Sequence, residues 1–505
     1  MFSTKGRDSG RRGQHCRCAP LRPQEPYPAM TDESAARTNW GELWRSGALP
    51  RFCFISLGLT FHSGAENMIS TIMPAMVREI GGVELNGWVF AIYEIGSIIA
   101  GALTGRLTTY WSVRTNMIVA ALIFTLGTLE TALSATMYWA LIGRLISGFG
   151  GGALISLSFV AVQRYFPSSI WPQLMAVFSV VWGVSAFGGP LYGGIMQTLL
   201  SWRWAFLIFA AAAVVFAIAC VPLLRNEPER PSASLEPRNF PALALTCLAL
   251  GITAIATAGV ESRFYVSQAL VIAGLAGIAA FFVLDARNKT SRLFPTAPFN
   301  PRTVVGSGML MVAALSVSTC SFGFYGPLLL ASLHDFSPVT TGLIIASESI
   351  SWSILSILVA TAPKQHEVLI VRAGALMIAA GVAGFAWVVP SGSMAGLLFF
   401  ATLQGGGFGI LWPFANRRVV EAALPHEREL AASAFSTLQR MGYAVGSATA
   451  GIIANANGFS GGFTKAAATT AAPPLFLYFI PIALLGCVAA FRLTRANALP
   501  AAASP

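Results

Sequence analysis

Charge is what this 505-residue sequence has least of: Asp, Glu, Lys and Arg make up only 10% of it, while 55% is hydrophobic. Soluble domains carry about 25% charged residues, so a water-soluble globular chain is excluded. There is no G-x₄-G-K-[ST] loop, the cradle that nucleotide phosphates require, so no motif points to ATP as the energy source. The seven cysteines have no metal-ligand spacing. Cys16 and Cys18 fall in the N-terminal tail, and Cys53, Cys220, Cys247, Cys320 and Cys487 are scattered through apolar runs, where they read as small hydrophobes. Of the histidines, His15, His334, His366 and His426 fall in the tail or in loops. Ser169 and Ser433 have no base nearby in a catalytic pattern. The sequence therefore argues against an enzyme and implies no cofactor and no metal. The first apolar run begins near residue 52, too far in for a signal peptide. Residues 1–29 are basic and Pro-rich; they read either as a disordered arm or as sequence ahead of a start at Met30, and the second reading is preferred.

What is present is a series of long apolar runs. A helix needs about 20 such residues to cross hydrocarbon, and backbone groups in lipid must be satisfied within helices or a closed barrel. The runs do not alternate as barrel strands do. They predict an all-α, polytopic membrane protein with about fourteen transmembrane helices, over 52–76, 85–105, 113–134, 138–162, 173–198, 202–224, 240–258, 266–284, 303–331, 340–361, 369–389, 394–415, 430–455 and 474–493. The net charge of +11 would suggest nucleic acid in a soluble protein. Its distribution points to topology instead. With the N-terminus placed in the cytoplasm, the later cytoplasmic segments carry seventeen Lys/Arg and the opposite side four. That is the asymmetry of the positive-inside rule, and it places both termini in the cytoplasm.

The chain also repeats itself. Gly148, Gly150 and Gly152 match Gly405, Gly407 and Gly409, each pair 257 residues apart. The next run keeps the same offset: Phe178-Ser179 matches Phe435-Ser436, Gly189 matches Gly446, and Gly194-Ile195 matches Gly451-Ile452. Repeated six-helix halves with a site between them are a transporter architecture. The expected organisation is a cytoplasmic tail (1–49), an N-terminal six-helix bundle (50–224), a linker (225–302) with an inserted two-helix hairpin (240–284), a pseudo-symmetric C-terminal bundle (303–493) and a second tail (494–505).

On the fifth run, Gly183, Gly188, Gly189, Pro190, Gly193 and Gly194 resemble the G-x₄-G-x-P-x₂-G-G signature of drug antiporters. Glycines let a neighbouring helix approach closely, and Pro190 removes a backbone hydrogen bond and bends its helix. Arg144, Gly148 and Gly150 resemble the R-x₃-G-x-G segment of the fourth span, and Ser201-Trp202-Arg203 the usual entry to the sixth. Together these resemble the major facilitator superfamily, in particular its fourteen-span drug/proton antiporters of the inner membrane, over about residues 50–493. One motif departs. In the loop after the second run the family's acid is replaced by Gly105, its second glycine by Thr108 and a basic residue by Thr109, which removes the usual cytoplasmic charge latch.

Ionisable residues at membrane depth are costly and mark function by default. Apart from arginines at their ends, the runs contain His62, Glu66, Glu94, Glu130, Arg144, Glu348 and Arg440. His62 and Glu66, four apart, share a helix face. Glu66, Glu94 or Glu348 is expected to carry an exchanged proton, with Arg144 tuning an acid, His62 as a relay, and Arg440 meeting substrate or pairing with a carboxylate. Static ion pairs between helices are the alternative. Trp182, Phe187, Tyr192, Trp352 and Trp412 are candidates for lining an apolar cavity. The net acidic interior disfavours phosphate-bearing substrates, which call for Arg clusters, and suits neutral or cationic amphipathic ones. The leading expectation is a proton-coupled exporter whose partners are small molecules, protons and the bilayer, with no nucleic acid. Its rivals are an uptake permease or facilitator of the same fold, and a non-transporting membrane sensor or scaffold.

Overall fold

A computed structural model of the chain describes residues 48–166, 171–224, 241–261, 263–288, 292–359 and 362–495. The tail over 1–47, the linker segment 225–240 and residues 496–505 lie outside the described residues, so most of both expected tails is not placed.

Among the described residues every regular element is a helix. The first six are α1 (Ala48–Ile80), α2 (Asn86–Tyr110), α3 (Val113–Leu133), α4 (Met137–Tyr165), α5 (Trp171–Leu199) and α6 (Trp202–Leu223). A hairpin follows, α7 (Ala242–Val260) and α8 (Phe264–Arg287). The remainder is α9 (Val304–Cys320), α10 (Gly326–His334), α11 (Pro338–Val359), α12 (Glu367–Ser391), α13 (Met394–Ala422), α14 (Arg428–Ala456), α15 (Lys465–Leu477) and α16 (Ile480–Arg495). Since α9 with α10, and α15 with α16, each make one long rod, the described residues form fourteen rods, as the apolar runs predict.

Eleven of these rods are long and apolar enough to cross a membrane. The other three are α1, α5 and α14. Two of them, α1 and α14, owe their polarity to residues that matter below: His62, Glu66 and Asn67 on α1, Gln439 and Arg440 on α14.

Local chemistry explains the ends and breaks. Ser112, Thr303, Ser393 and Thr464 cap α3, α9, α13 and α15 by accepting from backbone N–H groups three residues on, satisfying donors that a helix start leaves open. Gly392 ends α12 in the left-handed conformation (φ 68°) that glycine adopts freely. The wide turn Ser321–Tyr325 between α9 and α10 is a π turn. Pro327 follows it and cannot donate to the carbonyl four residues back, so the rod widens there instead of breaking. The last rod begins at Lys465, nine residues before its sequence expectation. The Thr464 cap and an alanine-rich first turn start a helix that the apolar count places later, at Pro474.

Glycines set the helix contacts. A Cβ on Gly148 or Gly152 would strike α2 at Tyr93 or Ser97, and one on Gly150 would strike α3 at Phe124. In the repeat, Gly405 and Gly409 stand against α11 at Glu348 and Trp352, and Gly407 against α12 at Gly374. The contacted pairs Tyr93/Glu348 and Ser97/Trp352 are each 255 residues apart, so the repeat in sequence is also a repeat in packing. The first six helices meet the last rods mainly where α5 packs on α11 and α2 packs on α14, with α7 laid against α14 and α2.

Candidate functional site

The charged residues collect where α1, α2 and α4 face α14. His62 on α1 is fully buried. Its Nε2 lies 2.6 Å from Arg440 Nη1 on α14 and 3.6 Å from Glu66 Oε2 one turn along α1. Arg440 Nη1 also donates to Ser97 Oγ at 2.8 Å and lies 4.0 Å from Glu94 Oε2, both on α2. The carboxyls of Glu66 and Glu94 are near enough for one to donate to the other when it carries a proton. Both Glu94 oxygens and Glu66 Oε2 are buried without another hydrogen-bond donor among the described residues.

Arg144 on α4 does something different. It is 1% exposed, with its guanidinium 4.0 Å above the Tyr93 ring. Its Nη1 donates to the Ala65 carbonyl at 3.2 Å and its Nε to the Val89 carbonyl at 3.4 Å. It therefore ties α1 and α2 to α4 through backbone oxygens and a cation–π contact, and places its positive charge beside the acids without a direct ion pair. Tyr93 in turn lies 3.1 Å from His62 Nδ1 and donates to the His62 carbonyl at 3.2 Å.

The remaining acids are elsewhere. Glu348 on α11 accepts from Gln404 Nε2 on α13 at 2.9 Å. Tyr443 on α14 lies within electrostatic reach of both Glu66 and Glu348, and its hydroxyl accepts from Gln439 Nε2 at 3.0 Å. Glu130 is half-buried near the C-terminal end of α3 and makes no ion pair among the described residues.

The glycine-proline signature on α5 serves two neighbours. Toward α1, a Cβ on Gly189 would lie 2.9 Å from Asn67 Cβ, and one on Gly193 would lie 2.7 Å from the Met68 carbonyl oxygen. The Pro190 carbonyl accepts from Thr71 Oγ1 at 3.0 Å. Toward α11, a Cβ on Gly183 would lie 2.7 Å from Ser353 Oγ, and one on Gly194 would lie 2.6 Å from the Pro338 carbonyl oxygen. A Cβ on Gly188 would meet nothing from a neighbouring helix within 4 Å. The aromatics divide as well. Tyr192 donates to the Ala205 carbonyl at 3.0 Å and so ties α5 to α6. Trp182 is partly buried against the core. Trp352 stacks on Phe408 at 5.0 Å and neighbours Trp412, whose ring meets Phe435 of α14 at 4.7 Å.

Of the charged residues singled out by sequence, the structure thus gathers His62, Glu66, Glu94, Arg144 and Arg440, and sets Glu348 and Glu130 apart. Sequence reasoning missed Tyr93, Ser97, Gln404, Gln439, Tyr443 and Gly151. Tyr93 and Ser97 sit beside Glu94 and one turn beyond it, and Gly151 lies inside the repeated glycine block; those positions were the available signal. Gln439 and Tyr443 carried none, because nothing in sequence links α14 to α1.

Residues 55–396 match the sequence profile of the Major Facilitator Superfamily. The chain is 26% identical over 482 residues to a probable multidrug-efflux transporter of Mycobacterium tuberculosis, covering 92% of this chain and 98% of that one. It is 24% identical over 402 residues to the multidrug efflux pump SdrM of Staphylococcus aureus, covering 78% and 87%. Among solved structures it resembles a D-xylose–proton symporter, with a TM-score of 0.62 at 17% identity over 89% of this chain and 99% of that one. It also resembles the nucleoside transporter NupG, with a TM-score of 0.60 at 14% identity over 88% and 99%.

Proposed function

The chain belongs to the Major Facilitator Superfamily, and from that premise we propose that it is a proton-coupled exporter of small amphipathic, drug-like molecules. Its two halves, 50–224 and 303–493, rock about a central site with the hairpin 240–284 as an insert. The observation that carries this reading is the pair of neighbouring carboxyls, Glu66 and Glu94, held inside the helix bundle against an arginine from the other half. Two such carboxyls can share a proton, and a proton held between them lowers the local charge when substrate leaves. Alternating access requires the halves to move against each other, and this cluster lies on their seam. The α5 signature, whose glycines touch both halves, supports the same reading, as do the multidrug-efflux names of the relatives. The aromatic group of Trp352, Phe408, Trp412 and Phe435 suits the apolar part of such a substrate. In this reading the protein lies in the plasma membrane, and the Lys/Arg asymmetry supports an orientation with both termini in the cytoplasm.

The test is proton release on substrate addition, in detergent or inverted vesicles, over a panel of lipophilic cations and neutral drugs. Release in the wild type that Glu66→Gln or Glu94→Gln abolishes is the expected result. If no bound ligand releases a proton, the antiport reading fails. Accumulation of substrate along the proton gradient would replace export with uptake.

A further inference from the structure

Arginine has five N–H donors and no acceptor, so the 2.6 Å contact between Arg440 Nη1 and His62 Nε2 fixes the imidazole: Nε2 carries no proton and accepts. The other ring nitrogen agrees. The Tyr93 hydroxyl spends its proton on the His62 carbonyl at 3.2 Å, leaving its oxygen to accept from His62 Nδ1–H at 3.1 Å. Every donor and acceptor around the ring is thereby assigned, and the ring is neutral. The third neighbour of Nε2 is Glu66 Oε2, at 3.6 Å, buried and without a hydrogen-bond donor of its own.

We propose that His62 is a proton-operated latch between the two bundles: with Nε2 bare it holds Arg440 of α14, and with Nε2 protonated it releases Arg440 and turns to Glu66. The step balances. The O–H bond of a protonated Glu66 breaks and an N–H bond forms at Nε2, leaving a carboxylate against an imidazolium on the same helix. That N–H then points at a guanidinium, two donors with like charge, and the contact cannot persist. Arg440 keeps Ser97 and Glu94 as partners on α2, so release loosens α14 from α1 first. The charged and titratable groups facing His62 are Glu66 from α1, Tyr93 and Glu94 from α2, Arg144 from α4 and Arg440 from α14. Glu66 is the one with a free acceptor oxygen within 4 Å of Nε2. Gly151 of α4 leaves the room in which this ring and Tyr93 sit: a Cβ there would lie 3.1 Å from His62 Nδ1. The inference rests on the proton-coupled reading and adds to it the joint at which a proton becomes movement.

The experiment uses the full chain in lipid nanodiscs without substrate. Paired spin labels at Tyr110 and Ile357, near the ends of α2 and α11, report the spacing of the bundles between about pH 4 and 8, a range spanning carboxyl and imidazole titration. Wild type is expected to change its distance distribution across that range. His62→Gln, which can still accept from Arg440 but cannot gain a proton, is expected to stay at the high-pH distribution, and Arg440→Gln to lose the pH response. A response in His62→Gln equal to wild type, or none in wild type, overturns the latch. A second readout needs no variant at His62: ¹⁵N chemical shifts of its ring, recorded in a chain whose other four histidines are replaced by glutamine. The Nδ1–H tautomer at high pH supports the latch, and the Nε2–H tautomer sinks it. Failure here leaves antiport standing if ligand still releases a proton that Glu66→Gln abolishes. Failure of ligand-driven release with an intact pH response removes antiport and leaves the latch.

Discussion

A Cβ on Gly151 would stand 2.6 Å from the Tyr93 hydroxyl, so this glycine of α4 is what lets Tyr93 lie beneath Arg144 and reach His62. Gly151→Ala should push the pair apart and cost about 1–3 kcal/mol, the usual range for overpacking a filled interior. Gly188→Ala, where nothing lies within 4 Å, should be neutral or gain a few tenths to about 1 kcal/mol of helix propensity. Thermal unfolding in detergent compares them.

The α5 glycines should separate by neighbour. Gly189→Ala and Gly193→Ala press on α1 within the first bundle and should lower melting temperature. Gly194→Ala presses on the backbone at Pro338, across the seam. It should alter transport rate more than stability, because it displaces one bundle relative to the other. Parallel measurement of unfolding and of proton-driven efflux checks the split.

Glu94→Gln and Glu66→Gln should each remove ligand-driven proton release, while Glu130→Gln, outside the cluster, should leave it at the wild-type level. Equal loss in all three would mean that the buried pair has no special role.

At the C-terminal turn of α1, beyond its apolar stretch, slight burial works to raise the Glu79 carboxyl. Hydrogen bonds from Trp202 Nε1 at 2.6 Å and from Arg203 Nε at 3.1 Å outweigh it and hold Glu79 below the usual glutamate range. Its stabilising contribution is therefore present above the ordinary glutamate value and lost as pH falls through the lowered one. The side chain is 48% exposed, so solvent screening limits the effect to about 1 kcal/mol or less. The melting-temperature gap between wild type and Glu79→Gln should be small at neutral pH and close on acidification.

Much of this was legible in the sequence because membrane spans are written in composition. Apolar runs locate fourteen rods, and the glycine repeat gives the contacts that pack them. The charged residues were visible one by one, since each breaks an apolar run. Their grouping was not. Arg440 and His62 are 378 residues apart and meet only because α14 packs on α2 beside α1. Periodicity places a residue on a face of its own helix and says nothing of which distant helix that face meets. The start of the last rod was misplaced for a simpler reason: alanines and a threonine cap make helix without much hydropathy.

The paired glycine contacts also bear on descent. Gly148 on Tyr93 and Gly405 on Glu348 are the same joint made twice, so a tyrosine in one copy answers to a glutamate in the other. Arg144 answers to Ala401 and Arg440 to Gly183 by the offset of 257. What the copies inherited in common is therefore the carpentry of close-packed helices. The charges are not shared between them, three of the five clustered residues lying on α1 and α2 of the first copy. A chain rebuilt from two identical first copies would keep the joints and lose the lone arginine that the second copy contributes.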